Sequence, residues 1–119
     1  MKKYTLISFY ADVDDGNYYA RHAKRLIENC KHLDIPLHIE ELPSEGDYRL
    51  NCLKKTKFIL DKWNEIDVPI VWMDVDSLIH KNLDFYGEAL TSFDIIYTSP
   101  FPQGVSPPNA FLAMKASPI

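Results

Sequence analysis

Cysteine is scarce in this chain of 119 residues: there are two, Cys30 and Cys52. Two thiols make no disulfide framework. Both fall in segments with helical spacing and apolar neighbours, so they read as buried, reduced thiols of a cytosolic protein. No CxxC and no Cys/His cluster with zinc spacing is present. The four histidines (His22, His32, His38, His80) are scattered, which argues against a His-rich metal site. Long apolar runs are also missing. Ile70–Met73 and Leu112–Met114 after Phe111 are the longest, and a transmembrane helix needs about 20 apolar residues. The basic start Met1-Lys2-Lys3 is followed by too short an apolar stretch for a secretory leader before Asp12, Asp14 and Asp15. A cytoplasmic chain, at most peripheral to a membrane, is the expectation. Basic charge is not in excess either: 13 Lys and Arg stand against 17 Asp and Glu, a net charge of -4. Only Lys54, Lys55 and Lys57 cluster, so a nucleic-acid-binding module of the basic-patch kind is excluded. What is present is an ordinary globular composition, 46% hydrophobic and 25% charged, which argues against disorder. The length suggests one domain, residues 1–119.

The periodicities give an order of elements. Tyr4–Tyr10 is short, apolar and β-rich and reads as a buried strand. An acidic loop follows, and then Tyr19, Ala23, Leu26, Ile27, Cys30 and Leu33 recur at helical spacing. Asp15 or Asn17 is expected to cap that helix. Pro36–Leu42 is a second strand, with Leu37 and Ile39 on one face. The turn-rich Pro43–Asp47 leads into a helix over Arg49–Glu65, with Cys52, Ile59, Leu60, Trp63 and Ile66 as its expected buried face. Ile70–Met73 is a wholly apolar strand of the kind covered on both faces. Beyond it, Asp84–Ser92 reads as a short helix and Asp94–Thr98 as a strand. Pro100–Pro108 is a proline-rich loop, and Asn109–Lys115 a last strand. Strands alternating with helices imply an α/β fold, a Rossmann-like, mostly parallel sheet flanked by helices. Ligands of such sheets bind beyond the carboxyl ends of the strands. Two acidic groups sit there: Asp12–Asp15 after the first strand, and Asp74 with Asp76 after the third.

Asp74 and Asp76 are two residues apart. If the backbone stays extended, both side chains point to one side. Two carboxylates that close need a cation between them or a shared proton. A hard divalent ion, Mn²⁺ or Mg²⁺, suits two carboxylates plus waters and phosphate oxygens. The bland alternative is a pair of solvated acids at a strand end. The preceding apolar tetrapeptide favours a functional pair, because charge at the edge of a buried strand needs a reason. Ile70–Ser77 also superficially matches the hhhhDxDx(S/T) of aspartate-nucleophile phosphatases, in which Asp74 would attack phosphorus. That motif normally lies on the first strand of its domain, whereas here two βα units precede it.

The segment Ile70-Val71-Trp72-Met73-Asp74-Val75-Asp76-Ser77-Leu78-Ile79 resembles the DxD segment of GT-A type glycosyltransferases, the nucleotide-diphospho-sugar transferase superfamily, including its tryptophan. Lys55-Thr56-Lys57-Phe58-Ile59 is similar to that family's preceding helix, and Tyr19-Ala20 with Ala23, Leu26 and Asn29 to its first helix. Asn109–Lys115 is similar to a later strand. The four matches fall in family order and cover nearly the whole chain.

The resemblance implies roles residue by residue. Phe9, Tyr10 and Ala11 at the end of the first strand would hold base and ribose, and Tyr19 would border or stack on the uracil. Lys55 would reach ribose or phosphates, while Asp74, Val75 and Asp76 would face the donor. Asp74 and Asp76 would hold Mn²⁺ or Mg²⁺ bridging the diphosphate. The implied activity is metal-dependent transfer of a sugar from a nucleotide donor, a UDP-sugar, to an unidentified glycan, protein or lipid acceptor. The alternative is a non-catalytic nucleotide-sugar-binding module or inactive remnant. Thr56 and Phe111 depart from the family pattern, Phe111 standing where family members carry glycine. Complete GT-A domains are about twice as long. The resemblance therefore places the acceptor-binding half, the catalytic acid or base and a further metal ligand beyond Ile119. Partner chains or self-association through an exposed edge would then complete the molecule.

Overall fold

The structure, a computed structural model, describes residues 4–13, 16–97 and 111–117. In chain order the elements are β1 (Thr5–Tyr10), α1 (Tyr18–Leu33), β2 (Leu37–Glu41), α2 (Tyr48–Glu65), β3 (Ile70–Met73), α3 (Asp84–Ala89), β4 (Ile95–Tyr97) and β5 (Phe111–Met114). They form one five-stranded sheet in the order β2-β1-β3-β5-β4. β1 pairs in parallel with β2 and β3, while β5 lies antiparallel to β3 and β4. Four strands thus share a direction and only β5 opposes them: an α/β fold with a mostly parallel sheet flanked by helices, as the pattern implied.

The pleat sends alternate residues of β1 and β3 to opposite faces, and a helix covers each. On one face Leu6 and Val71 pack with Ala23, Leu26 and Cys30 of α1. On the other, Ile7, Ile70 and Trp72 pack with Phe58 and Ile59 of α2. That double burial is why Ile70–Met73 carries no polar residue. The aromatic cluster of Phe9, Phe58 and Trp72, with centroids 5.2–6.1 Å apart, fills the α2 side near the carboxyl end of the sheet. At the other end, α3 leans on the Tyr4 ring. Gly87 permits this approach, since a Cβ there would lie 3.0 Å from Tyr4 Cδ1.

Several sequence expectations need correction. Asn17 precedes α1 in the left-handed conformation (φ 56°) and makes no capping bond. The cap is supplied from farther upstream: the Asp12 carboxylate accepts from the amides of Tyr19 (2.6 Å) and Ala20 (3.1 Å). α2 starts at Tyr48, capped by Asp47, which accepts from Arg49 N (2.8 Å) and Leu50 N (3.2 Å). Its buried residues are Asn51, Phe58 and Ile59, whereas Leu60 is 51% exposed and Cys52 faces out. The apolar residues of α2 are spread around the helix, so periodicity could not single out one face. The Pro100–Pro108 loop, Asp14, Asp15, Thr98, Asn109 and Ala110 lie outside the described residues. Among the described residues, no helix is long and apolar enough to cross a membrane.

Two outcomes follow from this packing. Leu26→Ala should lose about 2–5 kcal/mol of unfolding free energy in urea, and Leu60→Ala under about 1 kcal/mol. Equal losses would mean that α2 packs by its Leu60 face. Burial pushes the Cys30 thiol up to about 11 and the Tyr4 hydroxyl up to about 12. Both groups stay protonated in the folded chain at pH values where they ionise in the unfolded one. The stability they contribute is full below pH 9 and is lost as pH climbs toward 11 and beyond. Iodoacetamide at pH 8 should label Cys52 alone in the native chain and both thiols in guanidinium, as read by mass spectrometry.

Candidate functional site

The chain leaves β1 for α1 on one face and returns by α2 on the other before entering β3. The strand order therefore reverses between β1 and β3, and at their carboxyl ends an open sheet leaves a crevice. A cleft of about 320 Å³ opens there. Phe9, Tyr10 and Ala11 come from the end of β1, Tyr19 from α1, Lys55 from α2, and Trp72, Asp74, Val75 and Asp76 from β3 and the turn after it. All eight residues singled out in the sequence line this cleft.

The acidic pair is reached by a different route from the one expected. β3 ends at Met73, and Asp74–Ser77 is a turn closed by Ser77 N donating to Asp74 O (3.0 Å). The extended-backbone argument for a shared side therefore fails, although both side chains still border the cleft. Val75 between them is buried and anchors the turn in the core. Two α1 side chains also hold this segment: Arg25 Nη2 donates to Asp76 O (2.9 Å), and Asn29 Oδ1 accepts from Ile79 N (2.9 Å).

The two carboxylates differ in surroundings. Asp74 Oδ1 accepts from the Trp72 indole Nε1–H (3.1 Å) and lies 3.4 Å from Lys55 Nζ. The ammonium also sits 5.1 Å from the centroid of the Trp72 ring. Asp74 is 43% exposed, so this pair adds little to stability; it orients the carboxylate. The Asp76 side chain is exposed and forms no ion pair among the described residues. Its charge nevertheless reaches Tyr19, whose hydroxyl pKa is raised first by burial and then by Asp76.

Tyr48, Asn51 and Cys52 also line the cleft, and sequence reasoning missed them. They precede Lys55 by seven, four and three residues, so all lie on the Lys55 face of α2. That helical spacing, read backward from Lys55, was the available signal. The Tyr48 and Tyr19 rings are stacked, with planes 16° and centroids 6.5 Å apart. The Tyr48 hydroxyl is pushed up to about 12, chiefly by its hydrogen bond with the Cys52 side chain. Asn51 is buried: its Nδ2 donates to Ser44 Oγ (3.1 Å) and Ala11 O (3.5 Å), and its Oδ1 accepts from Glu45 N (2.8 Å). It ties α2, the 43–47 loop and the end of β1 together behind the cleft. Asp12 caps α1, and its carboxylate is engaged there.

Chemically, the cleft lining combines aromatic rings with one ammonium and two carboxylates. Among the described residues, no group of three or more His, Cys, Asp or Glu is placed to hold a metal ion. Two carboxylates still suffice for a hard cation that completes its shell with water and phosphate oxygens.

No family model matches the chain, and no curated protein matches it. Among solved structures it is similar to a glycosyltransferase involved in the glycosylation of the major capsid of PBCV-1, with a TM-score of 0.58 and 18% identity. The match covers 94% of this chain and 59% of the other, so the chain spans under two thirds of that protein's length. At this identity the likeness is one of fold: the chain has a glycosyltransferase-like fold.

Asn51→Ala should cost about 1–3 kcal/mol in urea unfolding, because it strands a buried amide and carbonyl. Asp76→Ala should stay within about 0.5 kcal/mol of the unsubstituted chain, as an exposed side chain away from packing does. A large loss for Asp76→Ala would mean that its carboxylate has a structural role.

Proposed function

We propose that the chain is the donor-binding half of a GT-A type, metal-dependent glycosyltransferase, and that its cleft takes a nucleoside-diphosphate sugar with a uracil base. The observation that carries the reading is one cleft at the carboxyl ends of β1 and β3 bordered by Tyr19, Lys55, Asp74 and Asp76. Aromatic rings suit a base, and an ammonium beside carboxylates suits a diphosphate with its counter-ion. The glycosyltransferase-like fold supports the same reading.

In this reading the β1 end (Phe9, Tyr10, Ala11) borders base and ribose. Asp74, with one oxygen engaged by Trp72 and Lys55, keeps the other for ribose or metal. Asp76, exposed and without an ion pair among the described residues, is the open ligand for Mn²⁺ or Mg²⁺. When bound, the cation supplies charge neutralisation for the departing nucleoside diphosphate. Lys55 adds a positive charge on the same side. Its partner, Asp74, stays oriented by the indole N–H when the ammonium turns toward phosphate. The proposal concerns donor binding and leaving-group stabilisation. The acceptor and the stereochemical course are no part of it.

Calorimetric titration of UDP should show saturable binding that requires Mn²⁺ or Mg²⁺. Asp76→Ala should weaken it at least about tenfold, the worth of one charge-assisted contact. Binding indifferent to both metal and Asp76, or no binding, overturns the reading. Release of UDP from a UDP-sugar separates an enzyme from a binding module. Metal-dependent release lost in Asp76→Ala marks an enzyme active by itself. Tight binding without release marks a donor-binding half alone.

A further inference from the structure

Tyr48 stands out once the core and the charged residues of the cleft are accounted for. It is a large aromatic, 58% exposed, on the first turn of α2. Burial does not explain it, yet its surroundings fix its position. Asp47 caps the helix one residue before it. Asn51, one turn on, anchors α2 to the end of β1 and to the 43–47 loop. The ring lies nearly parallel to that of Tyr19. An exposed but oriented aromatic at a ligand cleft offers a π-face that solvent does not use. Seven residues of helix, a rise of about 10.5 Å, separate Tyr48 from Lys55. Both residues line the same cleft, so one face of α2 presents a ring and an ammonium to it.

We propose that Tyr48 is a base-stacking wall of the cleft: with Tyr19 it carries the nucleobase, while Lys55 and Asp76 meet the diphosphate and its cation. The inference rests on the nucleotide reading of the cleft and adds a residue to it. Stacking on a π-face tolerates any base, so Tyr48 contributes affinity for the nucleoside rather than choice among bases.

The test compares UDP with inorganic pyrophosphate, which lacks the base, both with Mn²⁺. Tyr48→Ala should weaken UDP about five- to hundredfold, the usual range for loss of one base–aromatic stack. It should leave pyrophosphate affinity unchanged. Tyr48→Phe keeps the ring and should stay within about threefold for UDP. With Mg²⁺ in place of Mn²⁺, the uracil H5 proton should move upfield on binding to the unsubstituted chain and by less on binding to Tyr48→Ala, in which Tyr19 alone is left to stack. Should Tyr48→Ala fail to fold, Tyr48→Leu preserves apolar bulk without a π-system and carries the same expectation. UDP affinity unchanged in Tyr48→Ala but weakened in Asp76→Ala overturns the role of Tyr48 and leaves the donor reading intact. Equal weakening of UDP and pyrophosphate makes Tyr48 structural and also overturns it. No UDP binding to the unsubstituted chain overturns both.

Discussion

The parallel pairing of β1 with β3, Thr5 beside Ile70, Leu6 beside Val71 and Ile7 beside Trp72, is the constraint on which the rest depends. Parallel neighbours cannot be joined by a tight turn, so the chain must cross over through helices. α1 and α2 do this on opposite faces, and each strand becomes buried on both. A buried strand pair tolerates polar atoms only when they are bonded. Ser8 is wholly buried and donates to Met73 O (2.7 Å), which latches β1 to the last residue of β3. Beyond this latch β1 runs on to Tyr10 while β3 has ended at Met73, and the crevice at their carboxyl ends is a consequence of the topology.

The cleft's electrostatics follow from the same placement. Asp74 emerges from an apolar strand and meets an indole N–H and an ammonium that orient it. Asp76 emerges from a turn anchored by Val75 and by Arg25 and Asn29 of α1. The backbone is held while the Asp76 carboxylate stays open to solvent. A held backbone with a carboxylate that forms no ion pair among the described residues suits a ligand site, and it adds nothing to folding. The fold's stability lies instead in Leu6, Leu26, Ile70 and Val71, all at most 1% exposed.

How much of this was legible in the sequence can be argued element by element. β3 was legible because double burial leaves an uninterrupted apolar run, and β1 because its run is apolar and β-rich apart from Thr5 and Ser8. α1 was legible because its apolar residues keep one stripe, apart from Ile27, which is 45% exposed. The α2 face was misread because Leu50, Leu53 and Leu60 are apolar and exposed, while the buried position one turn into the helix is Asn51. A polar residue that earns burial through three hydrogen bonds leaves no hydropathy signal. Cys52 reads as buried from its apolar character, yet it is exposed at the cleft. Asn17 does not cap α1 because Asp12 reaches across a loop to do so, a contact that local spacing cannot reveal. The residues bordering the cleft were legible from the Asp-x-Asp after a buried strand and from the family resemblance. Tyr48, Asn51 and Cys52 were not, because their link to the site is through Lys55's helix face rather than through a motif.

The central claim is that the cleft beyond β1 and β3 is a nucleoside-diphosphate site. The most direct test is an amide-resolved NMR titration of the chain with UDP and Mg²⁺. The account predicts that the largest shifts fall on Phe9–Ala11, Tyr19, Val75, Asp76 and the Trp72 indole. Shifts centred instead on the groove between Glu40 and Lys62 at the far side of α2, or no shifts at saturating nucleotide, would contradict it.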